Sequence, residues 1–155
     1  MKIIILTVGK SDENFYLQII QEYLKRISKF CPISLESIQE QKYNNKFSLQ
    51  EALKAESYLI EQKLNRQDFV VILDEKGKQF SSVEFSMQIN KWLSSSNKRI
   101  IFIIGGAYGI DEDFKNKYFK LSLSNYTFNH QLIRIMLLEQ IYRAFTIIKG
   151  IPYHK

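Results

Sequence analysis

Apolar positions along the 155-residue chain fall into two rhythms. Short, nearly unbroken runs at 2–8 (KIIILTV), 33–38 (ISLESI), 69–73 (FVVIL), 99–104 (RIIFII) and 120–124 (KLSLS) are β-rich and predict strands. The stretches between them carry apolar residues at helical spacing. After Ser11, the residues Phe15, Ile19, Tyr23, Leu24 and Ile27 make one stripe. At 48–51, SLQE predicts a capping box in which Ser48 and Glu51 satisfy reciprocal backbone donors ahead of Leu49, Leu53 and Leu59. Ser81 or Ser82 is predicted to cap a helix carrying Val83, Phe85, Ile89, Trp92 and Leu93. A last helix is predicted from about Gln131 to Ile148, stopped by Gly150 and Pro152. Strands of continuous Ile and Val alternating with helices imply a mainly parallel sheet covered on both faces, so the fold class is α/β. A single domain over 1–155 accounts for the length, and EQKYNNK at 40–46 reads as a mobile loop.

Composition narrows the setting. The apolar run from Ile3 to Leu6 is too short for a secretion signal, and no segment approaches the roughly 18 continuous apolar residues of a membrane span. The one cysteine, Cys31, has no intrachain partner. These features predict a cytoplasmic protein with no membrane association. The formal charge is +6 and unevenly spread: residues 1–97 hold 13 basic and 12 acidic side chains, whereas 98–155 hold 9 and 4. That excess favours a polyanionic partner met by the C-terminal part, because Lys and Arg displace counterions from phosphates. The plainer alternative is a solubilising surface.

Ligands of open α/β sheets bind beyond the carboxyl ends of strands. Two such ends are chemically pointed: VVILDEKGKQF places Leu73, Asp74 and Gly77 after one strand, and IFIIGGAYG places Gly105, Gly106 and Gly109 after another. Neither spacing fits a Walker A loop or a dinucleotide fingerprint. Two histidines and one cysteine do not supply a zinc site, so no metal is expected, and neither G-x-S-x-G nor H-E-x-x-H occurs. An enzyme this poor in reactive side chains has to position an activated cosubstrate held by backbone groups. In the C-terminal segment, His130 and Arg134 share a helical face, as do Glu139 and Arg143. The apolar residues of that helix cover more than one stripe, which calls for two partners, its own sheet and another subunit. The closing PYHK brings a phenol, an imidazole and an amine to a terminus that by default frays.

Taken in order, LDEKGK, IGGAYG, LSLSNYTFNHQLIRIMLLEQIYRA and PYHK resemble the RlmH family, bacterial methyltransferases acting on N3 of a pseudouridine in 23S ribosomal RNA. The likeness spans the whole chain. It departs from the family where Asn129 and Gln131 flank His130 in place of the common proline, and where Ile151 stands for a frequent histidine. The resemblance implies a minimal SPOUT methyltransferase: a homodimer with a C-terminal trefoil knot whose loops hold S-adenosylmethionine. Carried over by motif, the cofactor site comprises Leu73, then Gly105, Gly106 and Gly109, then Leu123, Ser124, Asn125, Tyr126, Thr127 and Phe128. Gly105 and Gly106 would let the backbone approach the cofactor where a Cβ would collide. Arg143, Tyr153 and His154 would lie near the acceptor base, and His130, Arg134 and Lys155 would meet the RNA. With no separate RNA-binding domain, an assembled ribosome suits such a reader better than naked RNA. Two other readings remain open: a catalytically silent ribosome-binding or assembly factor on the same dimer, and a nucleotide-binding enzyme with a small-molecule substrate.

Overall fold

A computed structural model describes residues 1–11 and 13–155. Strands and helices alternate: β1 (Lys2–Val8), α1 (Asn14–Ser28), β2 (Ile33–Ile38), α2 (Leu49–Glu61), β3 (Asp68–Lys78), α3 (Ser82–Leu93), β4 (Arg99–Ile104), α4 (Glu112–Lys115), β5 (Phe119–Leu121) and α5 (His130–Ile148). The strands form one sheet in the order β2-β1-β4-β3-β5, and every pairing is parallel. Parallel neighbours cannot be joined by tight turns, so α1 to α4 each lie in a crossover between strands, and α5 follows the last strand to cover the sheet.

Period-two alternation divides the core between the two faces. Ile3, Ile5, Val71, Ile100, Phe102 and Ile104 point to one side, where α1, α3 and α5 pack through Ile20, Ile27, Phe85, Ile89, Leu137, Leu138 and Ile141. Ile4, Leu6, Val70, Ile72, Ile101 and Ile103 point to the other, against Ile60 of α2 and Phe114 of α4. Both faces being dry explains why the strands read as unbroken apolar runs. No helix among the described residues is long and apolar enough to cross a membrane.

The bounds of β1, β2 and β4 match the apolar runs, the predicted capping box forms at Ser48 with Glu51, and of the two candidate caps Ser81 is the one used, with Glu84 completing a second capping box. Three expectations are corrected. β3 continues past 73 to Lys78 because Leu73 and Lys78 both pair with Leu121, so residues 74–77 make an excursion inside the strand. β5 is shorter than KLSLS because Ser122, Leu123 and Ser124 leave the ladder for a loop. In α1 the stripe is displaced: Ile20 is buried, whereas Phe15 and Ile19 are exposed. The last two residues thus form an apolar face open to solvent. The strand order, with β5 returning beyond β3 after β4 has entered the centre, is consistent with the implied trefoil knot and gathers the ends of β3, β4 and β5.

Candidate active site

Three loops leave these adjacent carboxyl ends and enclose a cleft of about 430 Å³. The first is the excursion in β3, contributing Leu73, Asp74, Glu75 and Lys76. The second runs from Gly105 to Ile110, and the third contributes Leu123, Ser124, Tyr126, Thr127 and Phe128, with His130 and Ile133 of α5 behind it. Of the ten residues assigned to the cofactor by motif, Asn125 alone does not line the cleft; its side-chain oxygen accepts a hydrogen bond from Gln79 Nε2 at 2.7 Å.

Each loop is tied to its neighbour. Ser122 N–H donates to Lys78 O at 3.0 Å, and Thr127 Oγ1 donates to Glu75 Oε2 at 3.1 Å, so the third loop is fastened to the first at two points. Lys115 Nζ lies 2.8 Å from Asp74 Oδ2 and 2.7 Å from Glu112 Oε1, which fastens the second connection to the first. Burial pushes the Asp74 pKa up, but hydrogen bonds from Lys115 and the Lys76 N–H, with the nearby lysine charges, outweigh it and hold the carboxyl below 3.8. Lys115 belongs to α4, a short helix that the strand and stripe pattern missed. Its signal is local: Asp111 accepts from Phe114 N–H as an N-cap ahead of the acidic Glu112 and Asp113.

The reason for the glycines also changes. A Cβ on Gly105 would meet Gly109 O at 2.6 Å and Gly109 C at 2.7 Å, so the first obstacle is the protein's own main chain rather than a ligand. Gly109 N–H donates to Gly106 O at 3.1 Å and Gly109 adopts φ +82°, closing residues 105–110 into a tight turn. What the sequence marked as a contact is first a fold-back, and its effect is to present main chain to the cleft.

His130 caps the end of the cleft. Burial, followed by the Arg134 charge, lowers its pKa from the ordinary imidazole value and favours the neutral ring. The assignment of Arg134 to RNA fails on burial: its side chain has no exposed surface. Nη2 donates to Val8 O at 2.9 Å and Gly9 O at 3.1 Å, and Nη1 donates to Ser11 Oγ at 2.9 Å, holding the carboxyl end of β1 against α5. Gln131, one of the departures from the family pattern, joins this cluster through Ser11 and Arg134. Asn129, the departure on the other side of His130, serves as the N-cap of α5, its side chain accepting from Gln131 N–H at 2.8 Å.

At the far end of α5, the tail does not fray. Ile151 N–H donates to Thr146 O at 2.9 Å, and Tyr153 Oη donates to Glu139 Oε1 at 3.1 Å. The same carboxylate oxygen accepts from Arg143 Nη2 at 2.8 Å. The Arg143 guanidinium lies 4.8 Å from the Tyr153 ring centroid, and Arg143 Nη1 is 3.3 Å from His154 Nδ1. Burial, then hydrogen bonding to Tyr23 and Glu139, pushes the Tyr153 pKa up to about 12, so its phenol stays protonated. Arg143, Tyr153 and His154 therefore stand together, organised by Glu139, which the sequence offered only as half of an ion pair. Lys155 is exposed beyond them. The trio and the cleft occupy opposite ends of α5, however, and from His130 to Arg143 the helix rises roughly 20 Å.

Comparison with known proteins places this geometry. A family model described as "Predicted SPOUT methyltransferase" matches residues 1–154. Ribosomal RNA large subunit methyltransferase H of Parabacteroides distasonis is 40% identical over 155 residues, 99% of each chain. Proteins of the same name from Flavobacterium psychrophilum and Clostridium botulinum are 41% identical over 155 residues, 99% of each chain, and 43% identical over 159 residues, 100% of each chain. On a likeness that runs from end to end, the chain belongs to the SPOUT methyltransferases and, among them, to the ribosomal RNA large subunit methyltransferase H family.

Proposed function

We propose that the chain transfers a methyl group from S-adenosylmethionine to N3 of a pseudouridine in 23S ribosomal RNA within assembled ribosomes, in the bacterial cytoplasm. The observation that carries this reading is the meeting of three loops, from β3, β4 and β5, around one cleft. Its volume lies within the range of small-molecule sites, and its wall joins apolar side chains such as Leu73, Leu123 and Ile133 to charged ones at Glu75 and Lys76. That mixture fits a donor with an apolar purine face and an ionised amino-acid end.

S-adenosylmethionine carries its methyl on a sulfonium that needs alignment more than activation. The chain's own residues supply the rest. The turn at 105–110 and the loop at 123–128 orient and enclose the ligand. Arg143 is suited to hold negative charge developing on the ring carbonyls, Tyr153 to hold Glu139 and the Arg143 guanidinium in place beside the acceptor base, and His154 to take the proton leaving N3. These groups lie too far along α5 to serve the cleft of their own chain. We therefore infer a homodimer in which the tail of one copy completes the cleft of the other. The exposed Phe15 and Ile19 of α1 and Leu132 of α5 supply an apolar face for that contact.

The test is transfer of labelled methyl to ribosomes, followed by nucleoside mass analysis. Ribosomes carrying pseudouridine at the target should yield the N3-methyl product, and those carrying uridine there much less. Equal labelling would overturn the base specificity. Ribosome binding without any transfer would leave a silent binding factor in its place.

A further inference from the structure

We propose that Tyr108 and Tyr126 form a stacking platform for unpaired nucleobases at the mouth of the cleft, with Tyr43 bracing the first of the two rings. The inference rests on the RNA methyltransferase reading. Tyr126 is 80% exposed and Tyr108 57%, yet both line the cleft, and they stand on two different loops. Tyr126 was assigned to the cofactor by motif, but a ring this bare has most of its surface available to something larger.

The main chain beneath the Tyr126 ring is fixed. Tyr126 N–H donates to Ser124 Oγ at 3.0 Å, and the adjacent Thr127 is fastened to Glu75. Tyr108 is held from the side: its ring and that of Tyr43 meet at 88° with centroids 5.3 Å apart, and their hydroxyls lie 2.9 Å from each other. An edge-on partner limits rotation while leaving much of the ring surface open. The Tyr108 ring and the main chain that carries Tyr126 are therefore placed before any ligand arrives, which lowers the entropic cost of using them.

RNA is the occupant these features favour. N3 lies on the Watson–Crick edge, so the acceptor must be unpaired and drawn out of its stack, and its neighbours lose a stacking partner. Rings set beside cations are how proteins replace that partner. Lys76 lines the same cleft, and Lys42 lines the adjoining hollow into which Tyr43 and Tyr108 both project. A protein partner would find a rim of phenols and charges rather than aliphatic surface.

The experiment measures ribosome affinity by co-sedimentation, without turnover, for Tyr108→Ala, Tyr126→Ala and Tyr126→Phe. Each alanine is expected to weaken binding about tenfold, whereas phenylalanine, which keeps the ring, should retain wild-type affinity. Calorimetric affinity for S-adenosylmethionine should fall by less than ribosome affinity, and sedimentation should still report a dimer. Ultraviolet irradiation of the wild-type complex should place an RNA adduct on the peptide containing Tyr108 or Tyr126. Wild-type ribosome affinity in both alanine variants overturns the platform. So does a parallel loss of cofactor affinity, which would assign the rings to the donor, or loss of the dimer, which would assign them to the subunit contact. A wild-type protein that binds ribosomes through these rings but transfers no methyl would instead overturn the enzymatic reading and leave the platform standing.

Discussion

At the scale of single residues, neighbouring glycines have unequal tasks, and space decides between them. Alanine at Gly105 would drive a Cβ into the Gly109 carbonyl, a main-chain obstacle that moves only if the turn opens. At Gly106 the nearest atoms, Glu40 Oε1 and Val8 Cγ1, lie 3.4 Å away and belong to side chains that can shift. Gly105→Ala is expected to cost about 1–3 kcal/mol in denaturant unfolding and to weaken cofactor binding at least tenfold by calorimetry, with Gly106→Ala much milder in both. Equal effects would mean that the glycines are used for ligand approach, as the motif suggested, and not for closing the turn. Arg134 is a second case in which position along the chain misled. On a helical net it stands over His130 and reads as a surface cation; the third dimension puts it under the end of β1. Arg134→Leu would leave the Val8 and Gly9 carbonyls without that donor, and the expected loss is roughly 2–4 kcal/mol of stability. A phosphate contact would behave oppositely, with normal unfolding and a weaker salt dependence of ribosome binding.

At the scale of elements, what was legible in the sequence was whatever local pattern dictates. The runs KIIILTV and RIIFII are buried on both faces, so hydropathy alone bounds them, and the capping boxes at Ser48 and Ser81 are decided within four residues. The excursion at 74–77 was not legible because it depends on Leu121 pairing twice, with Leu73 and with Lys78, more than forty residues away in the chain. The cleft's residues were legible through the resemblance, but its fastenings were not. Nor was the fate of the C-terminal cations: Arg99, Lys115, Lys117 and Arg143 are each paired with a carboxylate, so the local positive excess is smaller than a count suggests. The Asp74–Lys115 pair has a pH signature. Asp74's folded pKa is depressed, so its contribution to stability is complete above 3.8 and is lost as pH falls through the lower folded value. Lys115 lies above 10.5 because its hydrogen bonds to Asp74 and Glu112 overcome its burial; its contribution is present below 10.5 and lost as pH rises through the higher folded value. Asp74→Asn should therefore cost about 1–2 kcal/mol at pH 7 and flatten the stability curve below pH 4. An unchanged acid limb in that variant would show that the pair does not hold the two loops together.

At the scale of the whole molecule, the decisive fact is the length of α5. A rigid helix buried along Leu137, Leu138, Ile141 and Phe145 cannot fold back on itself, so the tail clustered around Glu139 is kept roughly 20 Å from the cleft that begins at His130. A site that needs both ends must take them from two chains, and mixing defective chains tests this directly. One variant carries Gly105→Val, which spoils the cleft; the other lacks residues 151–155, which removes Tyr153 and His154. Each is expected to be inactive alone. Co-refolded in equal amounts, random pairing makes about half the dimers mixed, and each mixed dimer then holds one site built from the sound cleft of one chain and the sound tail of the other, restoring about a quarter of wild-type turnover. Were cleft and tail to act within the same chain, every site in every mixture would carry one defect, and no activity would return.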